Sequence, residues 1–407
     1  MNFRKFFESK QGFMAPETAT KIKRAITNIG GNVWVVGGAV RDFINPDSPA
    51  SKDIDLLVTD LPIQSPEKAL QRIIAALKPI AGGKVDVVGE SFGVIKAMVD
   101  GEDLDIAIPR ASETKTGTGH VDFSVQLDPT ASVESDLARR DFTINAIASS
   151  LDGKTIVDPF KGREDIQNKK IRAVGNARDR FSEDPLRILR SIQFATRFGY
   201  TISEDTLKAM KELSSEISTV AGERILEELK KAITKGKGDM KVLVSILNET
   251  GIGKEVFGKD FDPIAIGSEN PTSKFIGLFF NGGDMQKIKT TNDLRDSVLL
   301  AREFAGLKLP YEFIGKHSDK LEAVRSFFYN AGMDKENRKV EKAMHTAITP
   351  KELAIKGQEF LDMGVKGKDI GRLQRVMLQK IWLGSINNTI DDLVGVIKEE
   401  LNEDFDY

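Results

Sequence analysis

Asp53 and Asp55 sit one residue apart at the head of the apolar run DIDLLV, residues 53–58. In an extended strand, side chains two residues apart leave the same face, so both carboxylates project together while Ile54 turns to the core. Like charges held that close repel, and a cation bound between them offsets the repulsion. Just upstream, VWVVGGAVRD (33–42) carries four apolar residues into Gly37 and Gly38 and then into a helical pattern. A strand that passes through a glycine turn into a helix leaves N–H groups unpaired at the positive end of the helix dipole, where phosphate binds; glycine lets the backbone approach closely. Arg41, one turn further, adds a cation able to bond the same anion. Taken singly, the acids fit a capped strand start and the glycines an ordinary turn. Their succession points to metal-assisted chemistry on a nucleoside triphosphate. Asp105, in EDLDIAIPR (102–110), is the candidate third acid on another expected strand, although a solvated edge-strand aspartate fits the same pattern.

The chain has no cysteine, and its three histidines, His120, His317 and His345, lie far apart. Disulfides, thiolate nucleophiles and cysteine-type zinc sites are thereby excluded and a histidine-rich centre is not expected, so a metal is expected to be held by oxygen, which favours Mg2+. Two such ions act on an attacking hydroxyl and on the leaving pyrophosphate, and no protein nucleophile is needed.

Four more segments follow GGAVRD and DID in order: ESDLARRDFTINAIA (134–148), VDPFKGREDI (157–166), FSEDPLRILRSIQFATRFGY (181–200) and GERILEELKKAI (222–233). Together they resemble the five motifs of the class II tRNA nucleotidyltransferases, the CCA-adding enzymes, and of the related bacterial poly(A) polymerases, over 33–233. The resemblance makes Asp53 and Asp55 the metal ligands and places Gly37, Gly38 and Arg41 at the triphosphate. Arg140, Asp141 and Asn145 fall on the motif that holds sugar and phosphates and checks the 2′-hydroxyl. Arg190 matches a further nucleotide contact, and Asp158, Gly162 and Asp165 match a hinge. Glu223, Arg224, Glu227 and Lys230, on one helical side, brace the nucleotide-reading helix.

Asp184 and Arg187 stand three apart at an expected helix start, with Pro185 in a tolerated first-turn position, so they share one face. A carboxylate beside a guanidinium presents acceptor next to donor. Cytosine and adenine each show an amino donor beside a ring-nitrogen acceptor; uracil and guanine show the opposite order. One such pair accepts C and A and rejects U and G without a template, at about 1–3 kcal/mol per group left unsatisfied. Without the surrounding motifs the same residues read as an i,i+3 surface ion pair.

A chain of 407 residues suits two to four domains. With 40% hydrophobic and 29% charged residues it has a soluble globular composition. No apolar run reaches the roughly 18 residues of a membrane span, and the start MNFRKFFESKQGF lacks a signal-peptide apolar core. A cytoplasmic location is expected. Net charge is −2, but Lys161 to Arg197 holds ten Lys or Arg against five Asp or Glu, a stripe able to track phosphates or to form a solvated helix face.

Short β-rich runs in the first half, with helices expected at Ser65–Leu77 and Ser135–Ser149, give way to helical periodicity from Asp184 onward. The expected fold is α+β: a small mixed-sheet head with helices on one face, which the resemblance makes a polymerase-β-like palm, followed by an all-helical neck, body and tail. The boundaries are a lead-in at 1–29, head 30–150, neck 151–215, body 216–330 and tail 331–407. The polar segment 112–126 is a candidate mobile loop, which in the family serves the passage from C to A addition. MGVKGKDIGRLQRVMLQKIWLGSINN (363–388) resembles the tRNA-binding tail of CCA enzymes. The histidines lack phosphohydrolase spacing. The resemblance implies template-independent addition of C, C and A to the tRNA 3′ end from CTP and ATP, with no membrane and no obligatory protein partner. Poly(A) synthesis, partial addition and a non-catalytic RNA-binding protein on the same scaffold are the alternatives.

Overall fold

The computed structural model describes residues 12–45, 54–82, 85–88, 93–115, 123–306, 318–346, 350–382 and 385–401. The chain forms two compact units, one of Met1–Gly238 with Glu249–Glu255, the other of Asp239–Asn248 with Val256–Tyr407.

The first unit is built on a seven-stranded mixed sheet in the order β3-β4-β5-β2-β1-β8-β9. Its strands are β1 (Asn32–Val36), β2 (Ile54–Thr59), β3 (Val85–Val88), β4 (Val94–Val99), β5 (Glu102–Ala107), β8 (Ala148–Ser149) and β9 (Ile156–Val157). Within this sheet, among the described residues, only β2 and β5 are parallel neighbours. Helix α1 (Pro16–Thr27) starts with proline, whose missing N–H costs nothing at a helix start, and buries Ala19, Ile22 and Ile26. Helix α2 (Gly38–Ile44) leaves the end of β1 through Gly37. Helix α3 (Pro66–Leu77) is capped by Ser65, whose Oγ accepts the Lys68 N–H at 3.3 Å. It buries Ala69, Ile73 and Leu77 at four-residue spacing. Along β4 and β5 burial alternates: Ile95, Ala97, Leu104 and Ile106 are buried, whereas Lys96, Met98 and Asp103 are exposed. Helices α1 and α3 pack over the buried side. On the other side, Val36 and Leu57 join Val133 and Leu137 of helix α4 (Val133–Leu137) and Val174 in a separate apolar cluster. Helices therefore lie on both faces, not on one.

The helix expected over 135–149 is confined to α4. Phe142 is drawn into a bridge with Ala173, Thr143–Asn145 makes one 3-10 turn, and Ala148 and Ser149 join β1 as β8. Phe142, Ile144, Ala146 and Ile147 are fully buried, and tertiary pairing overrides local propensity. The segment 112–126 falls in a hairpin of β6 (Arg110–Lys115) and β7 (Phe123–Leu127), whose tip at 116–122 lies outside the described residues.

Beyond the sheet come α5 (Gly162–Gln167), β10 (Lys170–Ile171), α6 (Ala177–Glu183), α7 (Leu186–Phe198), β11 (Thr201–Ile202), α8 (Glu204–Glu212) and α9 (Gly222–Thr234). Helix α7 ends on Gly199 at φ 68°, a left-handed cap that glycine adopts without strain. It packs on α9, each helix presenting an apolar stripe. The second unit is helical, with Phe257, Phe261 and Phe279 in mutual ring contact, Phe275 against Phe279, and Phe280 against Phe327 and Phe328. The tail segment supplies helix Gly367–Trp382, joined to Ile390–Leu401 by Arg372–Glu400 and Lys380–Glu399 ion pairs.

Candidate active site

Register places the acids. Asp55 on β2 is the direct partner of Asp105 on β5 and of Val36 on β1, so Asp55 and Asp105 leave one face side by side. Strand β5 lies between β4 and β2 and is not an edge, although Asp105 keeps the solvent exposure of the edge-strand alternative. Asp105 pairs with Lys96 at 3.2 Å. Asp53 lies outside the described residues, and among those described no three acidic or imidazole groups cluster to hold a metal. Asp55 and Asp105 nonetheless form an all-oxygen pair on adjacent strands, the donor set that suits a hard cation.

One residue past Val36 the chain turns at Gly37, with φ 73° and ψ −136°, a conformation open only to glycine. A Cβ there would stand 3.2 Å from Arg140 Nη1 and 3.4 Å from Asp55 Oδ2, so the turn, the arginine and the acid meet at one point. Arg41 lies beside Gly38 but is buried: Nε and Nη2 donate to Asp42 at 2.9 and 3.1 Å, and Nη1 donates to Asn145 Oδ1 at 2.7 Å. Its guanidinium also lies over the Phe198 ring at 4.8 Å. Arg41 thus braces Asn145 and is largely engaged within the protein, whereas its sequence position suggested a phosphate ligand.

Asn145 passes this order on, donating through Nδ2 to Asp141 Oδ1 at 3.2 Å. Arg140 donates to Asp136 Oδ2 and to the Asn145 carbonyl. Arg190 of α7 grips Asp141 Oδ2 through Nε at 2.8 Å and Nη2 at 2.6 Å. Burial by itself raises the Asp141 carboxyl, but the charge of Arg190 and the hydrogen bonds from Arg190, Asn145 and the Phe142 N–H outweigh it and hold Asp141 below the usual carboxylate range. Burial likewise pulls the Arg190 guanidinium down, and the charges of Asp141 and Glu228 more than reverse it.

Asp184 precedes α7 and accepts the Leu186 N–H at 3.1 Å, with Arg224 of α9 3.5 Å from its other oxygen. Arg187 donates to Glu183 at 3.0 Å and to the Arg180 and Arg139 carbonyls. The two are not salt-bridged to each other as their spacing suggested. Each is instead anchored from outside, because Asp184 caps the helix while Arg187 reaches back along α6. Asp55, Asp105, Gly37, Gly38, Arg41, Arg140, Asp141, Asn145, Asp184, Arg187 and Arg190 all line one cleft of about 640 Å³, within the 300–1,000 Å³ range of ligand pockets. Its walls can hold a cation at one end, an anion at the glycine turn and a planar polar group by α7.

A family model of the poly(A) polymerase head domain matches residues 33–172, and one described as the probable RNA and SrmB-binding site of polymerase A matches 199–262. The chain belongs to the tRNA nucleotidyltransferase and poly(A) polymerase family. A multifunctional CCA protein of Stenotrophomonas maltophilia is 37% identical over 206 residues, covering 49% of this chain and 45% of that protein. A CCA-adding enzyme of Pediococcus pentosaceus is 33% identical over 253 residues, covering 61% and 59%. The chain thus spans about half the length of the curated relatives it matches. Among solved structures, the Bacillus stearothermophilus CCA-adding enzyme in complex with CTP superposes with a TM-score of 0.68 at 24% identity, covering 96% of this chain and 99% of that one. The Thermotoga maritima CCA-adding enzyme complexed with tRNA gives 0.66 at 20%, covering 98% and 99%. These likenesses show the nucleotidyltransferase fold of the family.

Four residues of this family member's site escaped the sequence reading. Asp136 and Arg139 line the cleft, and Arg224, assigned only to bracing, lines it too while holding Asp184. Glu228 is 4% exposed, accepts from Lys231 at 2.8 Å, and stands 4.0 Å from Arg190 Nη1. A glutamate on the apolar stripe of α9 was the available signal.

Proposed function

We propose that the chain adds C, C and A to tRNA 3′ ends from CTP and ATP, releasing pyrophosphate, and that it works in the cytoplasm without an obligatory protein partner. One observation carries this reading: a single cleft unites the Asp55–Asp105 pair, the Gly37–Gly38 turn and the Asp184–Arg187 edge. The relatives' names and the CTP and tRNA in the related structures support it.

In this reading the N–H groups after Gly37 cradle the triphosphate, and Arg140 faces it across the turn. Asp55, Asp105 and Asp53 hold Mg2+, which when bound lowers the pKa of the attacking hydroxyl and neutralises charge on the leaving pyrophosphate. Asp141 stands at the ribose, whose hydroxyl shares an oxygen that Phe142 and Asn145 or Arg190 already bond. Arg187 retains its Nε–H and one Nη2–H for a base edge, and each Asp184 oxygen retains a lone pair. Held apart by Glu183 and Arg224, the two groups offer donor and acceptor in fixed positions, so C and A fit and U and G meet like against like.

The test is to incubate the protein with Mg2+ and single labelled triphosphates on tRNAs ending before C, before CC and before CCA, and to count the nucleotides added. Addition of C, C and A that then stops supports the reading. Long A-tails would replace it with poly(A) synthesis, use of one triphosphate alone with partial addition, and no transfer with an RNA-binding role.

A further inference from the structure

Lys96 lies beside the acids, and the chemistry above gives it no task. It is the direct β4 partner of Asp105, and its Nζ is 3.2 Å from Asp105 Oδ1. The pair is open to solvent, with the lysine side chain 57% and the aspartate 45% exposed, so it adds little to stability. One row crosses the sheet in the order Lys96, Asp105, Asp55, Val36, and Gly37 follows Val36. The phosphate turn therefore stands at one end of the row and Lys96 at the other, outside the residues that line the nucleotide cleft.

In-line displacement puts the attacking oxygen opposite the leaving pyrophosphate. With the triphosphate at Gly37 and Gly38, the RNA 3′-hydroxyl must approach from the β5 and β4 side. Its terminal phosphodiester then arrives at the exposed face of β4. We infer that Lys96 receives this phosphodiester, exchanging Asp105 for the phosphate and so leaving Asp105 to the cation when RNA is in place. The inference rests on the proposed function and adds to it a residue for the RNA end. Lys96 is a positioning residue that acts through the primer backbone, without base preference.

The test uses the full chain and a tRNA ending before CCA, with equilibrium binding measured at several salt concentrations in the absence of nucleotide. Lys96→Met is expected to weaken RNA binding about threefold to tenfold and to reduce the slope of log K against log salt by about one. CTP affinity and the thermal midpoint should match the wild type, and Lys96→Arg should restore RNA affinity. Unchanged RNA affinity and slope in Lys96→Met would overturn the inference. So would a loss of CTP affinity, or a change confined to Mn2+ affinity measured by electron paramagnetic resonance. Failure of the wild type to add nucleotides sinks the functional reading instead, and the two failures are read in separate measurements.

Discussion

A carboxylate placed at the ribose, as proposed for Asp141, has to stay ionised and stay in place, and Arg190 secures both. Because the folded carboxyl is held below its usual range, it contributes stability that is fully present above its unfolded value of about 4 and is lost as pH falls through the lower folded value. The thermal midpoint of the wild type should therefore exceed that of Asp141→Asn at pH 7, and the gap should close below about pH 4; a gap constant from pH 7 to pH 3 would count against the clamp. On the proposed reading Asp55 and Arg187 have separate duties in the same cleft. Asp55→Asn keeps size and removes charge from an exposed position, so nucleotide transfer should fall by at least about a thousandfold, equivalent to about 4 kcal/mol of barrier, with an unchanged midpoint. Arg187→Ala should retain transfer but let U and G in by about tenfold or more, as expected for one lost group of 1–3 kcal/mol. Single-nucleotide misincorporation assays read both. What was legible at this scale follows from distance along the chain. Asp55 and the glycine turn announce themselves through local spacing, whereas Arg41 reaches Asn145 across 104 residues and Arg190 reaches Asp141 across 49, separations that carry no periodic signal.

At the scale of elements, strands β4 and β5 and the longer amphipathic helices were readable because each has one wet and one dry face. Helix α3 is the plain case, with serine cap, proline start and a four-residue apolar stripe all in agreement. The stretch after α4 was not readable, since burial on every side leaves no polar face to set a period. Its conformation comes from its neighbours, above all α5. Asp158 accepts the N–H groups of Gly162 and Arg163 at 2.7 and 3.0 Å, seating the start of α5 against the Thr143 turn. A Cβ at Gly162 would lie 2.1 Å from the Thr143 carbonyl oxygen, so the two backbones touch only because that residue is glycine. Thr143 also donates to Asp165 at 2.7 Å, and Asn145 completes the same turn. Gly162→Ala must push α5 off the turn that carries Asn145. We expect a loss of about 1–3 kcal/mol of stability, as for other overpacked sites, together with a raised KM for CTP, because Asn145 and through it Asp141 shift. A midpoint and KM both equal to wild type would show that the contact is not tight.

For the whole molecule, the division into two units makes a prediction of its own. Among the described residues, every one lining the cleft belongs to the unit of Met1–Gly238. Net charge of −2 gives no general attraction for RNA, so on the proposed reading the helical unit would meet tRNA through local basic side chains such as Arg375 of the Gly367–Trp382 helix, where Arg372 and Lys380 are paired with Glu400 and Glu399. The two ligands should therefore leave different footprints in amide hydrogen exchange. Opening of local structure is suppressed where a ligand adds contacts, and elements that bind nothing keep their own opening free energies. With CTP and Mg2+, protection should rise in 33–45, 102–107, 136–145 and 184–194 and stay unchanged in 271–280 and 321–330. Adding a tRNA that ends before CCA should extend protection to β4 around Lys96 and to 367–382. The order of addition matters, since a footprint of CTP alone on 271–280 or 321–330 would mean that the nucleotide is bound outside the described cleft, and a tRNA footprint that skips both β4 and 367–382 would remove the RNA contacts proposed at the exposed face of β4 and at the tail helix.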